Sequence, residues 1–322
     1  MMTRRSLPLA AAAVLATAAF AQNQAANVHL QVMPVQGNVY IIAGAGGNIA
    51  VQVGQEGVLV VDSGLAGTSD AVLAEIRKLS DKPLQYVLNT HFHPDHTGGN
   101  EAIRKAGVTI TGANVTGNLT DAAVGAQILA YLNVLNRMSA PTGTQAPTPT
   151  GAWPTDTEFI REHKDLFFND EPIQMIHQPA AHTDGDSLVW FRRSDVLVTG
   201  DIFVTTSYPF IDIEHGGSIQ GEIEALNNII DITVPKHEEE GGTYVIPGHG
   251  RICDEWEVVE YRDMVTIIRD RVQAAVKEGK TLAQIKEDHL TRDYDVRYDS
   301  KSGFGGANQF IEAVYKSLTA RK

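Results

Sequence analysis

The run NTHFHPDHTGGN, Asn89–Asn100, decides how the chain is read. It packs three histidines and one aspartate into the six positions from His91 to His96 and closes on Gly98-Gly99. Before it stands PLQYVLNTH, whose apolar run reads as a buried strand, and after it the pattern turns helical. His91 and His93 therefore sit two residues apart at a strand end, so both imidazoles can point to one side. Asp95 and His96 follow across Pro94, in the turn into the helix. Imidazole and carboxylate are good ligands for a divalent cation. A short His-rich run can also be a solvated turn, so the partners elsewhere in the chain settle the matter.

Three further segments close in the same chemistry. AAHTDGD carries His182, VTGD puts Asp201 at the end of a strand, and PGHG puts His249 at the end of another. Strand ends of an α/β sheet gather at one rim, where sites tend to be built. The intervening sequence supports that class. Two β-rich stretches surround a Gln-Gly-Asn turn in VHLQVMPVQGNVYIIAG, and two more flank Gly54–Gly57. SDAVLAEIRKLS has helical spacing, and strands resume in PIQMIHQP, SLVWFRR, DVLVTGD and TYVIPGHG. SIQGEIEALNNIIDI and EWEVVEYRDMVTIIRDRVQAAVKEG read as helices, and TLAQIKEDHL opens on a Thr-x-x-Gln capping box. Strand runs followed by helices in both halves suggest two similar halves facing each other. The stretch from 114 to 139 reads as helical, and a Pro/Thr/Gly-rich loop follows to about 156. Together they predict an insertion that overhangs the site as a lid.

The four motif blocks, in this order and each at a strand end, resemble the metallo-β-lactamase superfamily. The resemblance implies a single domain over 22–322, an α/β fold built as a four-layer αββα sandwich. It assigns His91, His93 and His182 to a first metal, and Asp95, His96 and His249 to a second, with Asp201 between them. Two Zn2+ ions are the expected cofactors, although iron or manganese suits the same ligands. Asp62, at the end of VLVVDSG, matches a recurrent acidic position of the family and is expected to support the ligand loop from outside the first ring of ligands. Two adjacent cations make a bridging hydroxide available as the nucleophile, with Asp95 orienting it as a catalytic residue. No Ser or Cys nucleophile is then needed, and no Gly-x-Ser-x-Gly motif is present.

The implied function is a metal-dependent hydrolase acting on the carbonyl of a small molecule: a lactone, ester, thioester or β-lactam-like compound. Dedicated β-lactamases of the family carry Cys or Ser where this chain has Asp201, so β-lactam cleavage is the alternative rather than the main expectation. A second alternative is an oxygenase with one iron acting on a persulfide, which the intact second ligand set (His96, His249) disfavours.

Other residues divide between site and background. His215, in IDIEHGGS, falls in the segment that approaches the metals in this family, which makes it a substrate-side candidate. Tyr208 and Phe210, with Trp153 from the loop, are candidates for an apolar wall of the cleft. His29, His163, His177, His237 and His289 read as structural or solvated. Cys253, the sole cysteine, reads as a buried inert thiol, so neither a disulfide nor a thiolate metal site is available.

Charge and leader complete the picture. The formal net charge of -13, with no Lys/Arg cluster, argues against a nucleic-acid partner. Residues 1–21 have a basic start (Arg4, Arg5), an apolar Ala/Leu stretch and Ala19-Phe20-Ala21, the pattern of a secretory signal peptide. The expected location is periplasmic or secreted, with no membrane insertion after cleavage. The acidic run Glu238-Glu239-Glu240 reads as a solvated loop.

Overall fold

The computed structural model describes residues 28–108, 125–140, 148–154, 159–237, 241–300 and 305–320. The expected signal peptide, the acidic run and much of the expected lid (114–124, 141–147, 155–156) lie outside these residues. Among the described residues, no helix is long and apolar enough to cross a membrane.

Two sheets form the centre. The first runs β1(Gln31–Gln36), β2(Val39–Ala43), β3(Ile49–Val53), β4(Val58–Val61), β5(Leu84–Leu88) and β6(Gln127–Leu129), in that spatial order. Its first four strands form an antiparallel meander, and β4, β5 and β6 are parallel. The second sheet holds β7(His163–Phe168), β8(Glu171–His177), β9(Ser187–Phe191), β10(Val196–Val198) and β11(Tyr244–Ile246), with only β10 and β11 parallel.

Period-two alternation builds the layers. Val39, Ile41, Ala50, Leu59, Val61 and Leu88 face the other sheet, where they meet Ile173, Met175, Val189, Phe191, Val196 and Ile246. Their neighbours in sequence, Ile42, Ile49, Val51, Val58, Val60 and Val87, face outward onto α1(Ser69–Leu79) through Val72 and Ile76. Both faces of the sheet are covered, which is why β4 reads as an unbroken apolar run. The outer face of the second sheet packs on α5(Ile219–Ile232), α6(Glu255–Lys277), α7(Leu282–Glu287) and α9(Ala307–Thr319). Helix, sheet, sheet, helix is the four-layer αββα order. The capping box at Thr281 and Gln284 forms as the sequence predicts.

Two readings change. QIL, placed in a helix from sequence, is β6 instead, and the helix α4 starts only at Leu132 (Leu132–Ser139). Gly125, at φ +111°, turns the chain into the sheet, and Ile128 and Leu129 gain more by burial there than an exposed helix would offer. The described part of the expected lid does not overhang the metal residues. Val134, Met138, Ala152 and Trp153 pack on Phe92 from behind, and the Trp153 indole donates to the Thr148 carbonyl at 2.9 Å. Trp153 is thus withdrawn from the cleft wall.

Away from the metal residues, Glu171 locks the two sheets together. Its buried carboxylate accepts from Gln52 Nε2 of β3 (2.9 Å), from the Ser194 hydroxyl (2.9 Å) and from the backbone N–H groups of Arg193 and Ser194. Removing it leaves several buried donors without a partner. Glu171→Ala is expected to cost roughly 2–4 kcal/mol in urea denaturation while leaving metal content unchanged.

Candidate metal centre

The site lies where the parallel strands end. β4 runs into Asp62, β5 into the His91–His96 loop, β10 into Asp201 and β11 into His249, while His182 comes from the turn between β8 and β9. Close backbone approach brings these loops together. Gly47 N–H donates to the Asp95 carbonyl (3.0 Å), and Asn48 N–H donates to the Gly248 carbonyl (2.8 Å). A Cβ on Gly47 would overlap the His96 ring, and one on Gly248 would overlap Asp201 Oδ1. Glycine at both positions is a condition for the ligands to converge.

Two groups result. His91, His93 and His182 form one; Asp95, His96, Asp201 and His249 form the other, each with its donor atoms within 4.8 Å of one another. Asp201 stands between them, with Oδ1 at 3.1 Å from His96 Nε2 and Oδ2 at 3.9 Å from His182 Nε2. His91 Nε2, His96 Nε2 and Asp201 Oδ1 are buried and make no hydrogen bond, an expensive arrangement for a polar core. Convergent lone pairs without donors are what a pair of cations requires, so the residues fit metal ions.

The opposite nitrogen of four of these imidazoles is fixed from outside. His96 Nδ1 donates to Asp62 Oδ2 at 2.8 Å. The same carboxylate accepts the Thr90 hydroxyl (2.7 Å) and the Thr90 N–H (2.8 Å), and Thr90 Oγ1 in turn accepts from His91 Nδ1 at 3.1 Å. Asp62 thus orients one ligand of each group, and it does so from a left-handed backbone conformation (φ 63°) that side chains other than glycine seldom adopt. His93 Nε2 donates to Asp212 Oδ2 at 3.0 Å, and His182 Nδ1 donates to the Phe210 carbonyl. Such outer contacts fix the tautomer that faces the metal.

Charge distinguishes the two groups. Burial, reinforced by the neighbouring histidines, holds His91 well below its ordinary pKa and lowers His182 to about 4. Burial also acts to lower His96 and His249, but the carboxylates outweigh it. Asp201 and Asp62 hold His96 well above the usual range, and Asp201 with Asp95 brings His249 up to about 9. Burial alone would raise Asp201 and Asp95, yet the imidazoles beside them keep both as carboxylates below their ordinary value.

A cleft of about 840 Å³ opens over the two groups. His93, Asp95, Asp201 and His249 form its floor, and Val204, Phe210, Ile211 and Ile213 form one wall. The opposite wall comes from α9 through Gln309, Glu312, Ala313 and Lys316. His215 and Phe210 line the cleft as the sequence suggested. Tyr208 does not. Its ring is fully buried, stacked on Phe310 at 5.5 Å, and its hydroxyl donates to the Thr291 carbonyl and Asp295 Oδ1. The chain crosses from core to cleft between Tyr208 and Phe210, and the larger apolar surface of the helical layer takes the tyrosine. None of His29, His163, His177, His237 and His289 belongs to either metal group. Cys253 is buried, and burial pushes its thiol up to about 11.

Residues 32–249 match the family model of the metallo-β-lactamase superfamily. The chain belongs to the metallo-β-lactamase superfamily. Within it, the chain is 24% identical over 259 residues to a linear primary-alkylsulfatase of Pseudomonas sp. (strain ATCC 19151), a match that covers 72% of this chain and 48% of that protein. The structure of the stereoselective inverting sec-alkylsulfatase Pisa1 from Pseudomonas sp. superposes with a TM-score of 0.62 at 16% identity, over 91% of this chain and 51% of that one. The DIM-1 metallo-β-lactamase superposes with a TM-score of 0.54 at 17% identity, over 74% of this chain and 97% of that one. These likenesses share the superfamily fold. The chain spans about half the length of the alkylsulfatases it matches.

Asp212, Thr90, the Phe210 carbonyl and the α9 wall carry no sequence signal, because each acts through a contact between distant segments. Two tests follow from the geometry. Asp62→Ala is expected to weaken metal binding roughly 10- to 100-fold in a chelator competition, since it releases His96 directly and His91 through Thr90. Cations entering the second group are expected to displace protons, because Asp201 and Asp95 bring the His249 imidazole up to about 9. Affinity for the second cation should therefore rise with pH up to that value. Calorimetry at pH 7 in buffers of different ionisation enthalpy should show about one to two protons released per second cation. Proton-free binding would contradict this assignment.

Proposed function

We propose that this protein is a metal-dependent hydrolase of an uncharged acyl substrate, an ester or lactone with an apolar chain. The lining of the cleft carries this reading. Beyond the ligands it offers the carboxylates of Asp212, Glu214 and Glu312, and one lysine but no arginine among the described lining residues. That lysine, Lys316, is already paired with Glu312 at 2.8 Å. An anionic substrate would meet like charge along this surface, whereas an apolar chain finds Val204, Phe210, Ile211, Ile213 and Ala313.

The residues that would hold the cations are His91, His93 and His182 for one, and Asp95, His96 and His249 for the other, with Asp201 shared. Two zinc ions are the proposed cofactors; bound there, they supply Lewis acidity and lower the pKa of a water towards neutrality. Asp95, partly exposed on the floor of the cleft, orients the attacking water through its carboxylate and takes up the proton that the water loses. Phe210 and Ile211 exclude bulk solvent, which strengthens each polar contact inside. The leader sequence supports a periplasmic or secreted setting for this activity.

The likeness to alkylsulfatases favours a second reading, cleavage of an alkyl sulfate, against which the acidic lining counts. A panel of alkyl esters, lactones, a β-lactam and dodecyl sulfate distinguishes them. Turnover is expected on esters or lactones and to be abolished by His93→Ala or by a chelator. Turnover confined to dodecyl sulfate would overturn the acyl reading. Elemental analysis should find two metal ions per chain, whereas one iron accompanied by oxygen uptake would point to the oxygenase chemistry. Ala313→Phe, which fills the apolar end of the cleft, should raise KM for long-chain esters several-fold with metal content unchanged.

A further inference from the structure

We propose that α4 positions the first metal group, and that Arg137 is the positioning residue through which it acts, by holding Asp184 two residues beyond His182. The inference rests on the metal-centre reading behind the proposed hydrolysis and gives a role to residues outside the ligand set.

His182 opens a short loop, His182-Thr183-Asp184-Gly185-Asp186. The loop shapes itself from within. The buried Asp186 carboxylate accepts the Thr183 N–H and the Thr183 hydroxyl, both at 2.7 Å, and Thr183 Oγ1 accepts the Gly185 N–H at 3.1 Å. Those bonds set the form of the turn, whereas Asp184 sets where it sits. Its carboxylate takes the Arg137 guanidinium in a two-point contact, Oδ2 to Nη2 at 2.7 Å and Oδ1 to Nε at 3.3 Å. Its carbonyl accepts from Asn133 Nδ2 at 3.0 Å and from His177 Nε2 at 3.1 Å. The His177 ring is itself stacked on Tyr131, the residue before α4, at 3.4 Å. Gly185 approaches the helix so closely that a Cβ there would lie 3.2 Å from Val134 Cγ2.

The same helix reaches the other two ligands of this group. Val134 and Met138 pack on Phe92, which stands between His91 and His93. A second route runs through the Asp184 N–H, which donates to the His215 carbonyl at 3.0 Å. That turn carries Asp212, whose N–H donates to the His182 carbonyl at 2.9 Å and whose Oδ2 accepts from His93 Nε2 at 3.0 Å. Among the described residues, no hydrogen bond or ion pair joins α4 to Asp95, His96, Asp201 or His249. Three imidazoles bring no negative charge of their own to a cation, so this group depends on its lone pairs converging. The Arg137 contact is suited to that task. A two-point guanidinium–carboxylate pair fixes direction as well as distance, and these side chains are only 26% and 27% exposed.

The test reads zinc affinity by chelator competition on the full chain in two backgrounds. His249→Ala disables the second group, and His91→Ala disables the first. Arg137→Met should weaken zinc binding roughly tenfold in the His249→Ala background and less than about twofold in the His91→Ala background. Asp184→Asn should give the same pattern, and the double variant should lose no more than either single one, because the pair acts as a unit. Arg137→Lys keeps the charge and one contact, so it should recover part of the loss; it carries the same comparison if Arg137→Met does not fold. Circular dichroism of the metal-free variants establishes folding before each titration. Equal losses in the two backgrounds, no loss in the first, or losses that add in the double variant overturn the assignment. Unaltered protein that takes up no zinc overturns the metal-centre reading itself, and this proposal with it.

Discussion

The carboxylate of Asp62 is the constraint on which the site depends. It is buried at the end of β4, in a backbone conformation that costs energy for any side chain, and it accepts hydrogen bonds from Thr90 and His96. Through the first it aligns His91, and directly it aligns His96, so one side chain fixes a donor atom in each metal group. The local strain is tolerated because the surrounding sheet leaves Asp62 nowhere else to go: its own N–H is bonded to the Leu88 carbonyl at 2.7 Å. Without that anchor, five imidazoles and two carboxylates in one small space would have no reason to present lone pairs to a common point.

How much of this is legible in the sequence depends on the range over which each residue acts. The seven candidate ligand positions are legible because each lies at or a few residues beyond a strand end, and strand ends follow from local patterning. The α/β class is likewise visible in the alternation of strand-like and helical runs, whereas the αββα layering is implied only by the resemblance that the ligand blocks carry. Asp212 is different, since nothing near FIDIEHGGS shows that its carboxylate will meet His93. Thr90 and the Phe210 carbonyl belong to the same class. Tyr208 was misplaced because an aromatic beside a metal ligand suits a cleft wall as well as a core, and only the packing of α9 decides between them. QIL reads as helix for a related reason: three residues are too few for their period to be told, and sheet pairing with β5 outweighs helical propensity.

The cleft has a divided origin. Its floor belongs to the stretch that matches the superfamily, while its far wall is made by α9, well beyond residue 249. The wall formed by Val204, Phe210, Ile211 and Ile213 lies within the matching stretch, so only the α9 side of the cleft comes from outside it. Of the described residues in the expected lid, Val134, Met138, Ala152 and Trp153 pack on Phe92.

Each metal group draws on both sheets. His91, His93, Asp95 and His96 extend from the first, and His182, Asp201 and His249 from the second. A bound ion is therefore a cross-link between the two halves of the sandwich, at one rim of an interface that Glu171 closes elsewhere. Neither half alone presents a complete set of donors. The chain has to dock its halves before it can capture an ion, and the captured ion then opposes their separation. Metal supply in the surroundings would in this way set how long the folded protein persists, quite apart from what it catalyses.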